Sequence, residues 1–230
     1  MSFAQWLRQQ TTSNEMTELP SIENTKLYVS QIIDNLSDLA HFFGGDTETI
    51  VNYAQRHFKS AHRQYEWLTV RAMLRQVMGT NVGICYDDSG KPQLTGLLPD
   101  SRFSNISISH SKTHAALLLA ENAGVGVDIE LVSPRILRLA SRIAQSEELP
   151  VAFGGMGEQE RSEYLTALWT AKEAIYKSLA NQAELEMLTD IRVKPFDVSS
   201  LPATACTMNG QKVFLQKFQN NFVSVISQVC

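Results

Sequence analysis

The sequence is short of the features that mark several protein classes. Its 230 residues hold three cysteines, Cys85, Cys206 and Cys230. The number is odd, they are widely spaced, and none has a partner at metal-ligand spacing, so neither a disulfide framework nor a cysteine-bound metal is expected. No apolar stretch approaches the ~20 residues of a membrane span; the longest covers only residues 115–120. The first residues lack an apolar core of signal-peptide length, and a cytoplasmic, membrane-free protein is the expectation. Positive charge is not in excess: 20 Lys plus Arg against 24 Asp plus Glu leave a net charge of -4. That argues against wholesale binding to nucleic acid and leaves room for a local basic pocket. Neither a Gly-x-Ser-x-Gly elbow nor an internal repeat is present. What remains, 43% hydrophobic and 19% charged residues, is an ordinary globular composition.

Hydrophobic period organises the chain. Residues 1–24 are polar and read as an N-terminal extension. Ile32, Ile33, Leu36, Leu39, Phe42 and Phe43 follow a helical period that Gly44-Gly45 stops. A second helix is predicted over residues 57–78, with Arg63, Arg71 and Arg75 able to form a basic side. The turn chemistry of Asp87-Asp88-Ser89-Gly90-Lys91-Pro92 then gives way to alternation in Ile106-Ser107-Ile108-Ser109, as in a half-buried strand. Residues 115–120 and 125–129 flank Glu121-Asn122-Ala123-Gly124 and predict a hairpin. Helical texture returns over 136–143 and 160–179, and residues 212–218 and 222–229 predict a second hairpin around Asn220-Asn221. Gly154-Gly155-Met156-Gly157 reads as an exposed loop. Helix then strands, twice over, predicts an α+β protein of two halves, residues 25–122 and 123–230.

Three clusters can do chemistry. Asp128 and Glu130 are two apart in a predicted strand, so both carboxylates leave the same face while Val127 and Ile129 face the core. Such a pair fits a strand running out into solvent, the commoner case, or a hard-cation site for magnesium or manganese. Glu173 and Lys177 are one helical turn apart, which suits either an exposed ion pair or a third carboxylate with a free ammonium. Ser107-Ile108-Ser109-His110-Ser111 ends its strand in hydroxyls and an imidazole. Neighbours on a strand point to opposite faces, so Ser109 and His110 make a poor catalytic dyad. Phosphate binding and ordinary strand-end capping both fit them.

Taken in order, Gly90-Lys91-Pro92, Ser107-Ile108-Ser109-His110-Ser111, Gly126-Val127-Asp128-Ile129-Glu130 and Trp169-Thr170-Ala171-Lys172-Glu173-Ala174-Ile175-Tyr176-Lys177 closely resemble the 4'-phosphopantetheinyl transferase family, in its monomeric, surfactin-synthetase-activating branch. The resemblance runs over roughly residues 60–180 and takes in Ala61-His62-Arg63. It departs at Ser107, where the family usually has Asn, and its usual basic residues before Ala-His-Arg are not matched in register. It implies two similar α/β halves related by pseudo-twofold symmetry, with coenzyme A bound between them. Asp128, Glu130 and Glu173 would hold Mg2+, or Mn2+. Arg63, Lys91, Pro92, Ser109, His110 and Lys177 would bind the cofactor, Lys172 would bind cofactor or nothing, and Glu173, Lys177 and His110 would be catalytic. The implied reaction moves the phosphopantetheine arm to a serine of an apo acyl, peptidyl or aryl carrier protein. Which carrier and which pathway, siderophore, nonribosomal-peptide, polyketide or fatty-acid, the resemblance leaves open. A metal-dependent phosphohydrolase and a silent coenzyme A or carrier-binding module are the alternatives.

Overall fold

The computed structural model describes residues 16–179 and 188–227. Expectations for residues 1–15, for 228–229 and for Cys230 fall outside them. The chain forms an α+β fold with two four-stranded antiparallel sheets and a separate two-stranded hairpin. The first sheet has the order β1-β2-β6-β5, from Thr17–Leu19, Thr25–Gln31, His114–Ala120 and Asn105–His110. The second has the order β7-β10-β9-β8, from Val125–Leu131, Asn221–Ser227, Lys212–Phe218 and Ala203–Cys206. Gly83–Tyr86 (β3) and Pro92–Thr95 (β4) make the hairpin.

Side-chain alternation assigns each strand face to its layer. Leu27, Val29, Ala116, Leu118, Val127, Ile129, Val223 and Val225 form one core that both sheets share. The opposite faces are covered by long helices. Ala61–Met78 (α3) packs Val70, Met73 and Leu74 on Ile106, Ala115, Leu117 and Leu119, and Glu158–Ser178 (α4) packs Leu168, Ala171, Ala174 and Ile175 on Val213, Leu215 and Ile226. Two shorter helices, Leu36–Phe43 (α1) and Thr47–His57 (α2), precede α3. Gly126 sets how closely α4 approaches β7: an added Cβ would lie 1.9 Å from the Ala174 carbonyl oxygen.

Four local expectations are revised. Residues 115–120 and 125–129 do not pair as a hairpin; β6 pairs with β2 and β5, and β7 with β10, so the chain changes sheets across residues 121–124. The predicted helix over 57–78 is two helices, because Phe58 and Ser60 are extended and break it between α2 and α3. The helix predicted over 136–143 is half 3-10 turn, the end of Pro134–Leu139, and half α-helix, Ala140–Ile143. Thr17–Leu19, read as part of a polar extension, pairs with β2 as an edge strand that the sheet supplies with partners.

Candidate active site

Between α3, β5, β7 and α4 lies a cavity of about 570 Å³. It collects side chains from every motif: Arg63, Lys91, Pro92, Ser109, His110, Asp128, Glu130, Glu173 and Lys177 all line it. Local geometry explains the convergence. Asp128 and Glu130 share a strand face with Gly126, and that glycine seats α4 with Glu173 and Lys177 directly above. From the other sheet, β5 runs beside β7, where Ser107 Oγ accepts the Val127 amide at 3.1 Å and Ser109 Oγ accepts the Ile129 amide at 3.4 Å. Ser107 thereby joins the two sheets.

Asp128 is not the solvent-facing end of a strand; it is 4% exposed. Its Oδ1 accepts Ser109 Oγ and Lys177 Nζ, both at 2.6 Å, while Oδ2 is buried and has no hydrogen-bond partner. A buried carboxylate oxygen without a donor is costly, and a hard cation is the partner that suits it. Lys177 also donates to Ser109 Oγ at 3.0 Å and to the Val127 carbonyl at 3.2 Å. Burial, then the charge of Asp128, pushes Glu130 up to about 7, and the same two causes raise Glu173. Among the described residues, no three His, Cys, Asp or Glu side chains stand grouped as a ready metal site. The three acids therefore share a cavity and feel one another's charge, with an ammonium group already on Asp128.

The raised Glu130 gives a stability signature. Its carboxyl binds a proton more tightly folded than unfolded, so its contribution is present below about pH 4.5 and is lost as pH rises through about 7. Glu130→Gln is expected to stabilise the metal-free protein by about 1–3 kcal/mol near pH 8 and by almost nothing near pH 4. Urea unfolding at the two pH values measures this, and an equal effect at both would contradict the buried charge.

Basic groups line the cavity as well. His110 Nε2 accepts Arg63 Nη1 at 2.8 Å, and His110 Nδ1 stands 3.3 Å from Glu66 Oε1. Glu66 also takes Arg63 Nη1 at 2.9 Å and His62 Nε2 at 3.1 Å. Lys91 reaches the carbonyl of Leu179 at 3.2 Å from a turn that Asp87 holds by accepting the amides of Ser89 and Lys91. Arg71 lies over the Trp67 ring, 3.4 Å from its centroid.

Of the two alternatives for Lys172, the structure contradicts cofactor contact. The side chain is absent from the cavity and fully buried, bonding Glu148 Oε2 at 2.7 Å and the Ile143 carbonyl at 2.6 Å. One residue is about 100° of helix, so the neighbour of a cavity-facing Glu173 turns into the packing instead. The predicted basic side of α3 also divides: Arg71 lines the cavity, whereas Arg75 bonds Asp46 and the Phe43 carbonyl. Sequence reasoning passed over Glu66, Trp67, Trp169 and Tyr176, which line the cavity too. For Glu66 the signal was available, since it stands three and four residues after Arg63 and His62 on one helix.

With this geometry in place, the chain can be compared with known proteins. Residues 124–226 match the model of the 4'-phosphopantetheinyl transferase superfamily. Among curated proteins it is similar to the 4'-phosphopantetheinyl transferase AcpT of Escherichia coli strain K12, 30% identical over 122 residues that cover 53% of this chain and 60% of the relative. AcpT of Salmonella typhimurium strain LT2 is 30% identical over 123 residues, covering 53% and 62%. The chain thus matches about three fifths of the length of these relatives.

Proposed function

We propose that this chain transfers the 4'-phosphopantetheine arm of coenzyme A to a serine of an apo carrier protein, leaving adenosine 3',5'-bisphosphate. The observation that carries the reading is one cavity lined both by basic groups, Arg63, His110 and Lys91, and by acids, Asp128, Glu130 and Glu173. A pyrophosphate ester with an extra phosphate suits the basic groups, and a hard cation on the diphosphate would suit the acids. Asp128, with the orphaned Oδ2, and Glu130 would hold that cation, magnesium or manganese, with Glu173 as a third ligand. Bound there, it would offset negative charge gathering on the diphosphate oxygens.

The chain's own groups do the rest. Arg63, His110 and Lys91 fix the nucleotide phosphates, and Lys177 donates to the diphosphate once it leaves Asp128. The carrier serine oxygen bonds to the phosphorus that bears the pantetheine arm, the bond from that phosphorus to the bridging oxygen breaks, and the bisphosphate leaves with the electron pair. Glu173 takes the serine proton. Burial and the Asp128 charge make its carboxylate a stronger base than usual.

Incubation with coenzyme A, magnesium and several apo carriers, followed by mass spectrometry, is expected to show one arm added to a carrier serine. Glu173→Gln should lower transfer by about 10²–10⁴-fold while keeping its affinity for the bisphosphate. Release of bisphosphate without any carrier would instead make the chain a hydrolase. Tight coenzyme A binding with no turnover would make it a binding module.

A further inference from the structure

One acid that no motif contains gathers basic groups at the cavity. Glu66 is buried, its side chain 7% exposed, and Arg63 and His110 of the cavity lining, with His62 outside that lining, converge on its carboxylate. Oε1 faces His62 Nε2 at 3.1 Å and His110 Nδ1 at 3.3 Å, and Oε2 takes Arg63 Nη1 at 2.9 Å. The second ring nitrogen of His110 accepts from Arg63 at 2.8 Å. A guanidinium only donates, so Nε2 carries no proton in this arrangement, and the ring proton sits on Nδ1, against Glu66.

The structure assigns Glu66 as the positioning residue for His110: it holds the imidazole in the Nδ1–H form with Nε2 toward the cavity, and it supports the protonated ring once an anion draws Arg63 away from Nε2. The arrangement has the logic of a carboxylate orienting a histidine whose other nitrogen meets the ligand. In this role Glu66 acts through His110 and is a positioning residue, not a catalytic one. Two effects compete for the His110 charge. Burial, Arg63 and Lys177 disfavour the protonated ring; Glu66 on α3 and Asp128 on β7 favour it. Of the two acids, Glu66 alone is within ion-pair distance of the ring. An incoming phosphate at Nε2 adds a second negative partner, and the ring then has an acceptor at each nitrogen.

The assignment rests on the transferase reading only for its choice of ligand probe; the tautomer of the free protein does not depend on it. Nitrogen-15 NMR of the wild-type chain without ligand is expected to show His110 with Nδ1 protonated and Nε2 bare. Adenosine 3',5'-bisphosphate should protonate both nitrogens. In Glu66→Gln the affinity for bisphosphate should fall about tenfold near pH 7, one pKa unit of lost support, and the deficit should shrink as pH is lowered toward about 5.5. Glu66→Asp should recover part of the affinity. A loss equal at every pH would mean that Glu66 merely holds the fold, and the assignment would fail. A free His110 protonated at Nε2 would overturn it even if Glu66→Gln did not fold. No bisphosphate binding by the wild type would instead sink the transferase reading and leave the tautomer result to judge Glu66.

Discussion

A single methyl group added at Gly126 is expected to cost about 3 kcal/mol of stability and to remove activity with it. The new Cβ would meet the Ala174 carbonyl oxygen at 1.9 Å, the Ala174 carbonyl carbon at 2.9 Å and the Ser178 amide nitrogen at 3.0 Å. All three are backbone atoms of α4, so no side-chain rotation relieves the clash; the helix must lift from the strand. That helix carries Glu173 and Lys177, and the strand carries Asp128 and Glu130. Lifting it therefore separates the groups that share the cavity and exposes Ala171, Ala174 and Ile175, which the packing buries. Gly154→Ala is the control, since nothing lies within 4 Å of its added Cβ; it should shift stability by less than about 0.5 kcal/mol. Urea unfolding of both variants, with transfer assayed in parallel, makes the comparison. A Gly126→Ala protein as stable and active as the parent would show that α4 is not seated where the strand places it.

How far residues alone reach toward this architecture depends on the range of the interactions concerned. Alternation put Asp128 and Glu130 on the face opposite Val127 and Ile129, and the shared core confirms that parity for the two apolar residues. The hairpin Lys212–Phe218 with Asn221–Ser227 was also readable, because a short turn between two alternating runs pairs locally. The same local pattern misled at residues 115–129. Two apolar runs with a glycine between them look alike whether they pair with each other or with distant strands, and here β2 and β10 supply the partners. The edge strand Thr17–Leu19 was hidden for the related reason that a polar three-residue strand owes its pairing to its neighbour. Within the site, motif order found the acids and the basic residues of the cavity. It gave no sign that Lys177 rests on Asp128, a contact between β7 and α4 made across forty-nine residues of sequence. Lys172 shows the converse: helical phase separates it from Lys177 by about 140°, and its partner Glu148 belongs to no recognisable motif.

Asp128→Asn and Lys177→Gln are expected to move cation binding in opposite directions while both lower transfer by about 10²–10³-fold. All three protons of the Lys177 ammonium are engaged, with Asp128 Oδ1 at 2.6 Å, Ser109 Oγ at 3.0 Å and the Val127 carbonyl at 3.2 Å. An ammonium so placed neutralises Asp128 in the free protein, and a divalent ion seeking that carboxylate must work against it. Removing the lysine charge leaves Ser109 as the remaining donor on Oδ1 and relieves the repulsion, so the affinity of Lys177→Gln for manganese should rise about tenfold. Asp128→Asn removes the orphaned carboxylate oxygen and should abolish specific binding. Electron paramagnetic resonance titration with manganese, without coenzyme A, reads both changes independently of turnover. Folding should survive each change. Lys177 is 26% exposed and can turn to water when Asp128 is neutral; Asp128 without Lys177 keeps its Ser109 bond. If manganese binds Lys177→Gln no more tightly than the parent, the ammonium is not its competitor, and the carboxylate beneath it is not where the cation sits.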